Sequence, residues 1–298
     1  MAERDEHTPG LNAERDGYIE GVPCWVDATE PDPEAAAEFY GGLFGWALED
    51  EMPSDAPGHY FMARLRGLNV AAISSIPEGA PPMAMWNTYF WVDSADETAA
   101  KVRDAGGNVL MEPFDVMNSG RMALVADPEG APFGLWQAKE HRGAQLVNDP
   151  GSLNLNALNT RDVEGAKAFY GSVFGWGTLD LSPGPLMWTL DGFGDFLELR
   201  NPDLRKEMAA AEAPERFEDV VAMVTPLGDD QPDTPAHWSV IFATDDADAT
   251  AAKATELGGS VIVPPFDAPW VRMTVIGDPQ GGMFIASKFM PENRDLGG

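Results

Sequence analysis

The chain has 298 residues, 44% of them hydrophobic, and carries 49 acidic against 19 basic residues, a formal charge of −30. That charge repels phosphate-rich partners and argues against nucleic acid and anionic membrane surfaces, while it either attracts a cationic small molecule or simply solvates the surface. No apolar run reaches bilayer-spanning length, the charged start Met1-Ala2-Glu3-Arg4 has no apolar leader behind it, and the one cysteine, Cys24, precludes an internal disulfide and fits a reducing cytoplasm.

Residues 1–17 read as an acidic, disordered tail. Residues 21–29 predict a strand centred on Cys24-Trp25-Val26, with Cys24 as a small buried side chain. Asp32 as N-cap and Pro33 at the first helical position open a helix, along which Ala36, Phe39, Tyr40 and Leu43 recur at i, i+3, i+4, i+7. Two strands follow at 60–65 and 68–74, joined by Arg66-Gly67. A second unit repeats the order. It has a strand at 87–92, a helix opened by the Ser94/Glu97 capping box and stopped at Gly106-Gly107, and strands near 108–111, 121–126 and 133–137. The glycine pairs act as helix stops and not as phosphate cradles, because no strand-Gly-x-Gly-x-x-Gly-helix context surrounds them.

These units make a first domain over 18–140 and leave a linker over 141–152, broken by Asn148-Asp149-Pro150-Gly151. A second domain over 153–290 repeats the plan, starting with a strand at 153–160 and a helix carrying Ala166, Phe169, Tyr170 and Val173. Met187-Trp188-Thr189-Leu190 matches 60–65, and 219–224 matches 69–74. Residues 191–218 are then an insertion with a short helix near 202–211, either a lid or interface element or a surface decoration. Residues 291–298 form a C-terminal tail.

Repeats make the duplication explicit. Phe39-Tyr40-Gly41-Gly42-Leu43-Phe44-Gly45-Trp46 returns as Phe169-Tyr170-Gly171-Ser172-Val173-Phe174-Gly175-Trp176. Gly106-Gly107 through Asp115 returns as Gly258-Gly259 through Asp267, and Asp127-Pro128-Glu129-Gly130 as Asp278-Pro279-Gln280-Gly281. The period is too long for a solenoid, so each copy is a domain.

The twice-written βαβββ units, the Phe-Tyr-x-x-x-Phe-Gly-Trp helix end and the closing Asp-Pro-x-Gly turn resemble the vicinal oxygen chelate superfamily of glyoxalases, bleomycin-resistance proteins and dihydroxybiphenyl dioxygenases. The likeness spans about 18–290. Trp25-Val26-Asp27, Trp86-Asn87-Thr88-Tyr89, Gly120-Arg121-Met122, Leu135-Trp136-Gln137 and His237-Trp238 are similar to the two-domain glyoxalase-like proteins of actinobacteria. The resemblance implies an α+β fold: tandem domains, each with two βαβββ modules curled into a cupped mixed sheet. It also implies a divalent metal held by side chains from four strands, which orients vicinal oxygens. The positions it assigns to ligands carry Trp25 and Leu155, the apolar interiors of 68–74 and 219–225, Asn87 and Ser239, and Gly134 and Ile285. None suits a divalent ion, so no cofactor is expected.

Strand alternation places Trp25 with Asp27, Asn87 with Tyr89 and Trp91, and Gly134 with Trp136 on shared faces. The first cup is thus expected to bind a ligand with Trp25, Asp27, Asn87, Tyr89, Arg121 and Trp136, or else to be a filled barrel interior. In the second domain the weak catalytic candidates are His237, Ser239 and Arg272, as base, hydroxyl and oxyanion-binding cation. A half-exposed, uncatalytic His237 is the competing reading, and Glu198, Asp195 and His237 form an alternative, irregular metal site. The expectation is a cytoplasmic protein, monomer or homodimer. It would bind or sequester a small aromatic or cationic molecule without metal, as bleomycin-resistance proteins do. The alternatives are a lyase, isomerase or oxygenase using an unusual metal or an acid–base pair, and a filled scaffold whose faces bind another protein.

Overall fold

The computed structural model describes residues 13–182, 184–294 and 296. A short strand β1 (Ala13–Glu14) precedes the first domain, whose strands are β2 (Pro23–Glu30), β3 (Ala47–Asp50), β4 (Tyr60–Leu65), β5 (Leu68–Ser75), β6 (Met85–Trp91), β7 (Asn108–Val116), β8 (Gly120–Ala126) and β9 (Pro132–Ala138). Helices α1 (Pro33–Phe44) and α2 (Ala95–Asp104) follow β2 and β6. After β10 (Leu146–Val147) the second domain repeats this order with β11 (Leu153–Thr160), α3 (Val163–Phe174), β12 (Gly177–Asp180) and β13 (Leu186–Thr189). The insertion supplies α4 (Phe193–Glu198) and α5 (Leu204–Ala210). Then come β14 (Val220–Pro226), β15 (His237–Ala243), α6 (Ala247–Glu256), β16 (Ser260–Ala268), β17 (Val271–Gly277) and β18 (Met283–Phe289). Among the described residues no helix is long and apolar enough to cross a membrane.

Each domain is one mixed sheet built from two four-stranded halves. The orders are β3-β4-β5-β2-β6-β9-β8-β7 and β12-β13-β14-β11-β15-β18-β17-β16, with β1 and β10 added beside β11. The halves meet at antiparallel seams, which put Trp25 opposite Tyr89 and Asp27 opposite Asn87, and Leu155 opposite Ile241 and Ala157 opposite Ser239. The tandem α+β architecture is the expected one.

Local chemistry explains the helix ends. Asp32 and Asp162 accept the amides of Ala35 and Gly165 at 3.1 and 2.8 Å, and Gly45 and Gly175 end α1 and α3 in the left-handed region at φ 72°. The edge strands β3 and β12 complete the expected βαβββ modules, but no residues were assigned to them, because they are mostly exposed and lack an apolar alternation. Helix α5 lies where a helix was expected; α4 was not foreseen. Residues 1–12 of the expected N-terminal tail lie outside the described residues. Its remainder docks: Ala13 and Glu14 pair with Val147 and Leu146, and Arg15 N–H donates to Gln145 O at 2.7 Å. Asn293, in the expected C-terminal tail, donates to Asp267 at 3.1 Å.

The helix-bearing faces of the two sheets pack against each other, so one continuous core spans both domains. Phe44 meets Phe242 and Phe284 with ring centres 5.2 and 5.7 Å apart, and Phe90 meets Phe174 and Trp238 at 5.4 and 5.2 Å. The repeated motifs complete one another across this boundary. Tyr40 OH donates to Asp278 Oδ2 at 2.7 Å and accepts from Trp86 Nε1 at 2.9 Å. In the other direction Tyr170 OH donates to Asp127 Oδ2 at 3.1 Å and accepts from Trp238 Nε1 at 3.1 Å. The second oxygen of each aspartate holds its own turn, through Ala131 N–H and Gly282 N–H. Gln280 then bonds both backbone groups of Asp32 at 2.7 Å, while Glu129 accepts from the amides of Arg161 and Asp162 and from the Thr160 hydroxyl.

Two stability predictions follow from this boundary. Tyr40→Phe leaves Asp278 Oδ2 and the Trp86 indole N–H without each other's bridge, and urea unfolding should show a loss of about 2 kcal/mol at unchanged m-value. A loss below about 0.5 kcal/mol would mean that the aromatic layer alone joins the domains. Glu30, fully buried with neither carboxylate oxygen hydrogen-bonded, stands where the second copy has Thr160. Burial, then the neighbouring Asp278 carboxylate, pushes its pKa up to about 9. Its contribution is therefore fully present below the unfolded glutamate value and is lost as pH rises toward 9, at up to about 1.4 kcal/mol per pH unit. Glu30→Gln should flatten this dependence, gaining stability over the parent at pH 8 and little at pH 4.5.

Candidate binding site

Alternation along β2, β6 and β9 turns Cys24, Val26 and Ala28 toward the helices, and Trp25, Asp27, Tyr89 and Trp136 into the opposite, cupped face. In the first domain these side chains are spent on one another. Asp27, 5% exposed, accepts from Asn87 Nδ2 at 2.9 Å, Tyr89 OH at 3.1 Å and Tyr60 OH at 3.4 Å, while Trp25 Nε1 donates to Tyr60 OH at 3.0 Å. Burial pushes the Asp27 pKa up to about 6 against the pull of these three donors. His141, from the linker, plugs the remaining space. Its ring stands edge-on to Trp25 at 4.3 Å and 5.5 Å from Trp136, whose indole donates to the His141 carbonyl. Burial drives the imidazole down to about 4, so it sits there neutral. A Cβ on Gly134 would run into the Tyr89 ring, so glycine at this assigned ligand position lets the tyrosine lie across it.

Arg121 does not join this group. It is one residue out of phase with Met122, which faces Trp136, and so it points to the helix side, where it forks onto Asp96 of α2 at 2.7 and 2.9 Å. Arg272 does the same in the second copy, bonding Asp248 at 2.5 and 2.9 Å and Asp267 at 3.0 Å. Both arginines fasten a helix to its sheet.

The second cup has the same frame with smaller contents. Where the first has Trp25, Asp27, Asn87, Tyr89 and Trp136, the second has Leu155, Ala157, Ser239, Ile241 and Ser287. A cavity of about 900 Å³ opens here. The sheet contributes Leu155, Met187, Met223, Ile241, Met273 and Phe289, all on one strand parity. The insertion roofs it with Phe193, Leu197 and Met208 from α4 and α5, and with Phe217 from the turn that leads into β14. This roof is clamped by Arg205, which reaches Asp195 at 2.8 Å, Glu198, and Glu218 at 2.9 Å. Trp270, held at φ 68° and stacked on Phe289 with ring centres 6.1 Å apart, closes one side. Arg15 and Tyr18, from the docked N-terminal segment, close another.

The predicted catalytic group is not assembled. His237 Nδ1 lies 2.9 Å from Pro235 O, and Ser239 Oγ accepts from Asn159 at 2.9 Å. Neither residue lines the cavity, and Arg272 lies on the other face of its strand. The irregular metal site is contradicted too, because Asp195 and Glu198 are tied to Arg205.

The inward donor set does not fit a divalent metal ion. The first cup offers one carboxylate, already satisfied by three donors, and the single His141 imidazole, while the lining of the second offers one exposed carboxylate, Asp245, and no imidazole or thiol among the described residues. Among the described residues no cluster of three or more His, Cys, Asp or Glu side chains is placed to hold an ion.

Missing from the sequence reading were Arg15, Tyr18, Trp270 and the apolar roof. A residue-by-residue volume comparison of the two copies would have pointed to the second cup, since every inward residue just compared is smaller there.

Comparison with known proteins agrees with the tandem fold. The family model described as Glyoxalase/Bleomycin resistance protein/Dioxygenase superfamily matches residues 25–135 and 152–285. "Putative glyoxylase CFP32" of Mycobacterium tuberculosis is 41% identical over 283 residues, covering 93% of this chain and 98% of that protein. "Anthracycline biosynthesis protein DnrV" of Streptomyces peucetius is 33% identical, covering 90% and 93% respectively. Among solved structures, the Mn(II)-bound glyoxalase of Novosphingobium aromaticivorans shares the fold at TM-score 0.57 and 16% identity, covering 93% of this chain and 83% of its own.

Proposed function

From its place in the glyoxalase, bleomycin-resistance and dioxygenase superfamily, to which the chain belongs, we propose that this protein binds a ring-bearing, largely apolar small molecule in the second cup, without a metal ion. The observation that carries the reading is the replacement of Trp25, Tyr89 and Trp136 by the smaller Leu155, Ile241 and Ser287, which line a cavity of about 900 Å³. That volume suits a ligand of several fused rings. Met187, Met223 and Met273 supply adaptable, polarizable walls, and Trp270 with Phe289 supplies an aromatic one. The 33%-identical relatives named for anthracycline biosynthesis point to planar polycyclic molecules as the ligand class. The roofed cavity supports sequestration or carriage of such a molecule: among the described residues its lining offers no imidazole or thiol, and its one carboxylate is the exposed Asp245.

A second reading, acid–base chemistry in the first cup, is favoured by Asp27, whose pKa is pushed up to about 6. It requires that Asp27→Asn abolish a turnover with an apparent pKa near 6. Retained turnover in that variant would dismiss it.

Importing first-cup side chains into the second tests the main proposal. The Ser287→Trp/Ile241→Tyr double variant should fill the cavity, keep the fold by circular dichroism, and weaken binding of anthraquinone-2-carboxamide at least tenfold in titration calorimetry. The parent should bind one equivalent, equally well after dialysis against EDTA. Equal binding by the filled variant would place the ligand elsewhere.

A further inference from the structure

Arg15 is the anomaly of this cavity. It is 6% exposed, lines the cavity, and has Nε and Nη1 buried without a hydrogen-bond partner among the described residues. In a chain with 49 acidic residues to choose from, this is unusual. Arg64, Arg121, Arg205 and Arg272 each hold two or more carboxylates. Asp16, the acid that follows Arg15 in sequence, pairs with Arg200 instead. The guanidinium carbon of Arg15 lies 5.7 Å from the Tyr18 ring centre and 5.9 Å from that of Phe193, the first residue of the roof. Such ring contacts compensate only part of the cost of removing a cation from water. Burial first, with Arg200 adding repulsion, also lowers the pKa of this group from its ordinary value.

Resting on the proposed binding reading, we propose that Arg15 is an anion-recognition residue, and that the ring-bearing ligand of the second cup carries a carboxylate, or an equivalent ionised oxygen, which the Arg15 guanidinium receives. An anion there turns an unpaired buried charge into a charge-assisted hydrogen bond. It also ties the docked N-terminal segment to the roof through Phe193. The acidic exterior therefore says nothing of the ligand's charge: the cavity wall selects the opposite sign from the one the net charge suggests.

The test uses the full chain and two probes of the same shape, anthraquinone-2-carboxylate and anthraquinone-2-carboxamide, with affinities from titration calorimetry at pH 7.5. The parent protein should bind the carboxylate at least tenfold more tightly than the amide. Arg15→Met should bring the two within about twofold of each other, and Arg15→Lys should keep part of the preference. Ligand-free Arg15→Met should melt at or above the parent temperature, because it loses an unpaired buried charge, and this serves as the folding control. Equal affinities in the parent, or a preference that survives in Arg15→Met, would overturn the anion site and leave the cavity reading standing. If neither probe binds the parent, the cavity reading fails and the anion site with it.

Discussion

Tyr40 and Tyr170 each reach out of their own domain to the aspartate that closes the other's last hairpin, and each accepts the indole N–H of a tryptophan on its own sheet. This reciprocal bond turns the helix-bearing faces inward and so leaves both cupped faces looking out. A buried hydroxyl between a carboxylate and an indole has little freedom to relax, because each group would otherwise be left without a partner in a low-dielectric interior. Trp46 and Trp176 tighten the same joint, donating to Gly151 O at 2.7 Å and to Gly21 O at 3.0 Å. Apart from the exposed Ser172, the polar side chains of the repeated helix-end and turn motifs are used at the boundary between copies, which accounts for both motifs occurring twice.

With the joint fixed, the two cups are free to differ. The first is closed from within by the Asp27 network and from the linker by His141. The second keeps the same seam register but replaces bulk with space, then gains a roof from the insertion. One copy is thus a packed half, and the other encloses an open cavity of about 900 Å³. The docked N-terminal segment belongs structurally to the second domain although it precedes the first: β1 pairs with β10 beside β11, and Arg15 and Tyr18 enter the cavity wall.

Much of the frame was legible in the chain. Asp32 and Pro33, the helical stripe of Phe39 and Tyr40, and the left-handed Gly45 are local signals, and each marks the element it should. The strand alternation that put Trp25, Asp27, Asn87 and Tyr89 on one face was equally readable. What local pattern could not give was occupancy, since whether inward side chains face a ligand or each other depends on volumes summed across strands distant in sequence. Arg121 shows the sharpness of the period-two rule: the right strand was chosen, but a neighbour of the inward residue faces the opposite way. Arg15 was missed for another reason. Its segment has no apolar periodicity and pairs through only two residues, so composition reads it as tail while backbone pairing docks it.

The central claim is that the second cup, and not the first, is where a molecule sits. The most direct measurement is a crystal structure of the chain grown with anthraquinone-2-carboxylate, read for electron density in both cups. The account predicts a planar ligand under the α4–α5 roof with Arg15 at its acidic end, and the first cup still closed by His141. Density between Trp25 and Trp136 with His141 displaced, and an empty second cup, would contradict it.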